Sequence, residues 1–143
     1  MTETGKRIVV GVDGSESSIE ALEWAVRQAS LTGSVVDAVC AWQYPSNYGL
    51  GVPDEFDYAG EAARTLAKAI ADVSREDGSV EIRSRVVERP AGQALTELAA
   101  GAEMLVVGSR GHGELAGTLL GSVSQHCIHH APCPVVVIRH PKR

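Results

Sequence analysis

Five short β-type apolar runs punctuate the chain: RIVVGV at 7–12, VVDAVCAW at 35–42, VEIRSRVV at 80–87, EMLVVGS at 103–109 and PVVVIR at 134–139. Between them, apolar residues recur at the three-to-four spacing of one helix face. Ile19, Leu22, Val26 and Ala29 define the first helix, and SSIE from Ser17 to Glu20 has the spacing of a capping box that would start it. Ala63, Leu66, Ile70 and Val73 define the second, with Gly78 as its expected C-cap. A short third helix runs from about Gly92 to Ala100, with Leu95 and Leu98 inward and Gly101 as its stop. Leu120, Val123, Cys127 and Ala131 mark a fourth that Pro132 ends.

The resulting order is βαβαβαβαβ, without internal repeats or low-complexity linkers. Strands alternating with helices, several apolar on both faces, predict a parallel five-stranded sheet covered by helices on both sides, an α/β Rossmann-like single domain spanning residues 1–143. In such a sheet ligands bind beyond the carboxyl ends of the strands, where strand order reverses. Two loops are suited to this, VDGSESS after the first strand and GSRGHG after the fourth. They share a site only if those strands are neighbours. The order 3-2-1-4-5 makes them so, whereas 2-1-3-4-5 separates them.

The 143 residues suit one domain with one substantial core, and the formal charge of −5 argues against a nucleic-acid or anionic-membrane surface. RHPKR at 139–143 reads as a solubilising tail. The opening MTETGKRIVVGVDG lacks the pattern of a secretory signal, no apolar run approaches the roughly 18 residues of a membrane span, and three cysteines (40, 127, 133) have no disulfide-framework spacing. A cytoplasmic protein is the expectation. The one long connection, Gln43 to Ala59, is rich in Gly, Pro and acids and reads as a solvated loop.

Chemistry concentrates in LVVGSRGHGELAGTLLGSVSQ, residues 105–125. Five glycines follow the strand, at 108, 111, 113, 117 and 121, and Ser122 follows the last. Gly108 and Gly111 would let backbone approach a ligand and form an anion-binding nest. Gly121 and Ser122 open the fourth helix, where unpaired N–H groups favour phosphate. A Walker A loop needs a lysine beside this cradle, and none occurs between Lys68 and Lys142.

The spacing G-x2-G-x9-G-S, the opening IVVGVDGSESS and the ending HAPCPVVVIR together resemble the universal stress protein family, in its nucleotide-binding branch, over essentially the whole chain. The resemblance implies ATP binding at the switch point and dimerisation. It also implies ribose and phosphate contacts from Gly108 and Gly111, terminal-phosphate contacts from Gly121 and Ser122, an adenosine-side acid at Asp13, and a backbone contact to adenine at Ala41. Arg110, His112, Gly113 and Ser124 lie within or beside the motif and complete the candidate set. Against this, Asp13 could merely cap its own turn, since Asp-Gly is a common turn pair. Ser15, Ser17 and Ser18 read as helix-capping residues, and Trp24 and Trp42 as core or subunit contacts.

QHCIHHAPC packs His126, Cys127, His129, His130 and Cys133 into eight residues. His126 and His130 share a helix face, but a structural zinc site needs four ligands and Cys127 falls on the apolar stripe, so no metal site is expected. With no lysine and no nucleophile–base pair, the cradle suits holding ATP, with Mg²⁺ on the phosphates, better than turning it over. The expectation is an ATP-binding stress-response regulator or sensor, not an enzyme, with an unidentified protein partner left open. Alternatives are a slow ATPase or phosphotransferase and a nucleotide-free interaction module. A homodimer is expected through the fifth strand, an apolar edge, and a proline at Val136 is expected to cut that pairing.

Overall fold

The computed structural model describes residues 6–44, 56–75, 78–111 and 120–139. Nine elements follow one another as β1 (Arg7–Gly11), α1 (Glu16–Thr32), β2 (Val35–Trp42), α2 (Tyr58–Ser74), β3 (Ile82–Glu88), α3 (Ala91–Leu98), β4 (Met104–Gly108), α4 (Ser122–His130) and β5 (Val135–Ile138). The strands form one sheet in the order β3-β2-β1-β4-β5, and every pairing is parallel. The expected fold class and strand order are therefore those of the molecule.

The pleat divides the core in two. Ile8 and Val10 of β1, Val36, Ala38 and Cys40 of β2 and Val106 of β4 face one side, where Ala21, Leu22, Ala25 and Val26 of α1 and Leu66, Ala69 and Val73 of α2 cover them. Val9, Val39, Leu105 and Val107 face the other side, against Leu95 of α3 and Cys127 of α4. Central strands buried on both faces explain why their sequences read as continuous apolar runs. Trp24 and Trp42 pack, partly buried, against the first of these clusters.

One charge interrupts the second face. Asp37 of β2 is buried beside Arg7, whose Nη1 lies 3.4 Å from Oδ2. Arg7 also donates to the carbonyls of Leu98 at 3.0 Å and Ala100 at 2.6 Å, satisfying the C-terminal end of α3. Gly101 stops that helix with a φ of 81°.

Three local expectations are corrected. The cap of α1 is Ser15, whose hydroxyl accepts from the Ser18 N–H at 3.2 Å, so the capping box does not start at Ser17. Ser17 is instead buried within the helix's first turn, where its hydroxyl faces the Ile138 carbonyl at 3.4 Å. On α2 the buried stripe is Ala62, Leu66, Ala69 and Val73, and Ala63 is exposed. Asp57 caps that helix by accepting from the Gly60 N–H at 2.9 Å, and it ends at Ser74 with Arg75 as C-cap, ahead of Gly78.

Candidate functional site

The carboxyl ends of β1 and β4 lie side by side, and a cleft opens above them. Gly11, Val12 and Asp13 line it from β1 and the turn that follows. Val39 and Ala41 line it from β2, Val107, Gly108, Arg110 and Gly111 from β4 and its loop, and Gly121, Val123 and Ser124 from the start of α4. Seven of the ten candidates thus meet in one place: Asp13, Ala41, Gly108, Arg110, Gly111, Gly121 and Ser124. His112 and Gly113 lie outside the described residues. Ser122 is exposed, and its side chain does not line the cleft.

The position of α4 gives the cleft its polarity. Its N-cap, Gly121, has no side chain with which to bond the first-turn N–H groups, and no other side chain among the described residues does so. Those groups, on Ser122, Val123 and Ser124, have no acceptor one turn back in the helix. The Gly121 N–H itself is used, donating to the Ser109 carbonyl at 2.6 Å. The positive end of the helix dipole, with first-turn N–H groups that no side chain among the described residues bonds, therefore lies in the wall that Gly111 also lines. Arg110, half-buried, lines the same wall.

Each glycine here has its own reason. A Cβ on Gly108 would run into Ser17, whose backbone carbon would lie 2.7 Å away, so this glycine admits the first turn of α1 against β4. Its backbone lines the cleft on the other side. A Cβ on Gly111 would meet Asp13 Oδ2 at 2.7 Å, so the bare Cα is what lets loop and carboxylate close on each other. Gly121 has φ −79° and ψ 173°, ordinary extended backbone open to any residue.

Asp13 does cap its own turn: Oδ1 accepts from the Ser15 N–H at 2.9 Å, while the Asp13 N–H donates to Ser18 Oγ at 3.2 Å. Oδ2 points toward Gly111 on the cleft wall. One carboxylate can fill both roles, because it offers about four lone-pair directions. Ser18 joins the wall through this network. Gly11, Leu95 and Val123, also in the wall, were not among the site residues expected from the sequence, where Leu95 and Val123 read only as apolar helix positions. Gly11 could have been noticed: a Cβ there would meet Leu95 at 2.8 Å, so it too is a close-packing glycine.

The histidine and cysteine cluster is distributed away from this cleft. Cys127 is fully buried between sheet and helix, and burial, with Cys133 nearby, pushes its thiol from 9.0 up to about 11. Burial and then Asp13 push Cys40 up to about 11 as well. His126 and His130 stack on the outer side of α4 with ring centroids 4.4 Å apart, and His126 packs over Gly92 of α3. No group of three or more His, Cys, Asp or Glu side chains converges as a metal site among the described residues. No described helix is long and apolar enough to cross a membrane.

Comparison with known proteins agrees with this architecture. The family model of the universal stress protein family matches residues 5–139. Universal stress protein Rv2624c of Mycobacterium tuberculosis (strain ATCC 25618 / H37Rv) is 35% identical over 139 residues, which cover 95% of this chain and 49% of that protein. Universal stress protein Rv2005c of the same strain is 36% identical over 141 residues, covering 92% and 47%. The chain thus spans about half the length of the curated relatives it matches. Among solved structures, a universal stress protein in complex with cAMP superposes with a TM-score of 0.71 at 29% identity, covering 94% of this chain and 97% of the other. A universal stress protein from Archaeoglobus fulgidus in complex with dAMP gives 0.69 at 27% identity, covering 93% and 97%. With its fold, its glycine-lined switch-point cleft and a family match over residues 5–139, this chain belongs to the universal stress protein family.

Proposed function

We propose that the cleft binds ATP and that the protein acts as a nucleotide-dependent regulator or sensor in a stress response, in the nucleotide-binding branch of its family. The observation that carries this reading is the N-terminus of α4, which no side chain among the described residues caps, beside Gly111 and Arg110, a ready site for phosphate oxygens. Ala41 and Asp13, across the cleft, suit the nucleoside end. Solved relatives at 29% and 27% identity are complexes with cAMP and dAMP, which supports an adenine nucleotide as the ligand.

The wall is made mostly of glycine and small aliphatic residues, with Arg110 and Asp13 as the charged residues lining it among the described residues. Mg²⁺ would therefore be held chiefly by the phosphates and water, with Asp13 within the same cleft. Binding without turnover is the reading we favour for this wall. Phosphoryl transfer needs a positioned nucleophile and concentrated positive charge, and among the described lining residues Arg110 is the one cation, with no lysine beside it. Homodimerisation through β5 and a cytoplasmic setting complete the proposal.

The direct test is mass spectrometry of ligand released from protein prepared without added nucleotide, followed by titration with ATP and Mg²⁺, dAMP and cAMP. Saturable ATP binding with no steady-state hydrolysis is the expected result. Absence of binding to all three would remove the nucleotide reading, and multiple turnovers of ATP would favour the slow ATPase.

A further inference from the structure

We infer that Ser124 is a positioning residue: its hydroxyl ties the two halves of the cradle together and does not itself hold phosphate. The inference rests on the nucleotide reading of the cleft for its consequence, though not for its geometry. Ser124 is 2% exposed. Its Oγ lies 3.1 Å from the Ser109 carbonyl and 3.0 Å from the Gly121 carbonyl, and both are acceptors only. A hydroxyl has a single proton, so that proton is committed to carbonyl oxygen. An ionised phosphate oxygen also only accepts. To bond it, Ser124 would have to withdraw that one proton from the carbonyl oxygens that tie the loop to α4, each of which also accepts a backbone N–H, from Gly121 at 2.6 Å on Ser109 and from Gln125 at 3.0 Å on Gly121.

Ser109 is the other half of the tie. It is 3% exposed and stands between Gly108 and Arg110. Its N–H donates to the Ile138 carbonyl of β5 at 2.8 Å, fixing the residue to the sheet. Its carbonyl receives two donors from α4, the Gly121 N–H at 2.6 Å and the Ser124 hydroxyl. The loop that carries Arg110 and Gly111 is thereby held against the N-terminal turn of α4. The separation between the two sets of phosphate donors is set by this one carbonyl. Ser109 fills an unspecified position within the glycine spacing and Ser124 lies beyond it, and the two are fifteen residues apart in sequence, so only the folded chain brings the tie into view.

The test uses full-length Ser124→Ala and Ser124→Thr, with amide hydrogen exchange on nucleotide-free protein and titrations with ATP and with adenosine. In Ser124→Ala the Gly121 amide should exchange about tenfold faster while α1 amides are unchanged. ATP affinity should fall about tenfold, with adenosine affinity nearly retained. Ser124→Thr, which keeps the hydroxyl, should restore both. A fall in ATP affinity with Gly121 exchange unchanged would make Ser124 a direct phosphate ligand and overturn the inference. So would faster exchange spread evenly over the molecule, or no change at all. If the parent protein binds no ATP, the exchange measurement still decides the tie, and only the nucleotide reading fails.

Discussion

Gly121 is the residue at which ligand and fold are most cleanly separable. Its φ of −79° suits any amino acid, so a side chain there is not opposed by the backbone. Gly121→Val should leave the protein folded and lower ATP affinity at least about tenfold, through loss of charge-assisted hydrogen bonds of roughly 1.5–3 kcal/mol each. A folded variant that binds ATP as tightly as the parent would mean the cradle lies elsewhere. Gly111→Val is a less clean probe, because its Cβ would push on Asp13 Oδ2 rather than oppose a positive φ. The sequence marked these glycines but not their separate reasons, since a glycine serving a ligand and one serving a helix look identical until the neighbour is known. Gly108 is the example: Ser17, 91 positions earlier, is what excludes a side chain there. The cysteines carry a second residue-scale prediction. Iodoacetamide at pH 8 should modify half-buried Cys133 first and reach buried Cys40 and Cys127 only on unfolding. Their thiols, raised to about 11 from 9.0, keep their protons in the folded state after the unfolded chain has lost them. Their contribution to stability is therefore present below pH 9 and lost between pH 9 and 11. Cys133 reacting no faster than Cys127 in native protein would contradict the burial on which both statements depend.

At the scale of elements, the helix beginnings were harder to read than the helices. The serine-rich stretch Ser15–Glu16–Ser17–Ser18 offers three capping hydroxyls, and composition cannot choose among them. The choice is made by the tight turn at Asp13 and Gly14, the latter with φ 89°, which brings Ser15 into the cap position. Ser15→Ala should destabilise the protein by about 1 kcal/mol, the ordinary value of a lost N-cap. Ser17→Ala should cost less, because its hydroxyl has only a 3.4 Å contact with Ile138. Urea unfolding of the two variants decides the matter, and a larger loss from Ser17→Ala would restore Ser17 as the cap. Alanine caused the other misreading. Ala62 and Ala63 are equal in hydropathy, so the stripe on α2 could be drawn through either. Packing of Leu66, Ala69 and Val73 on the sheet selects Ala62. Where large apolar residues set the spacing, as Leu22 and Val26 do on α1, the buried face was legible from the chain alone.

For the molecule as a whole, strand order was legible because function constrained it: two glycine loops form one cleft only if β1 and β4 are adjacent, and they are. The same order leaves β3 and β5 as edges, and the two are built differently. β3 carries exposed Arg83, Arg85 and Glu88, charges that resist pairing with another strand. β5 presents only Val135, Val136, Val137 and Ile138, all half-buried, which suits antiparallel pairing with a second copy. The ladder identifies which residues are available for it. The Leu105 N–H donates to the Pro134 carbonyl and the Ser109 N–H to that of Ile138, so residues 134, 136 and 138 turn their backbone groups toward β4. Val135 and Val137 turn theirs outward. A proline at Val136 would thus break the sheet of one protomer, and the informative substitution is Val137→Pro, which removes an outward donor and leaves the β4 ladder intact. If β5 carries the proposed dimer, sedimentation equilibrium should find the parent dimeric and Val137→Pro a folded monomer. A Val137→Pro protein that remains dimeric would place the subunit contact away from β5, and the apolar edge would then need another cover.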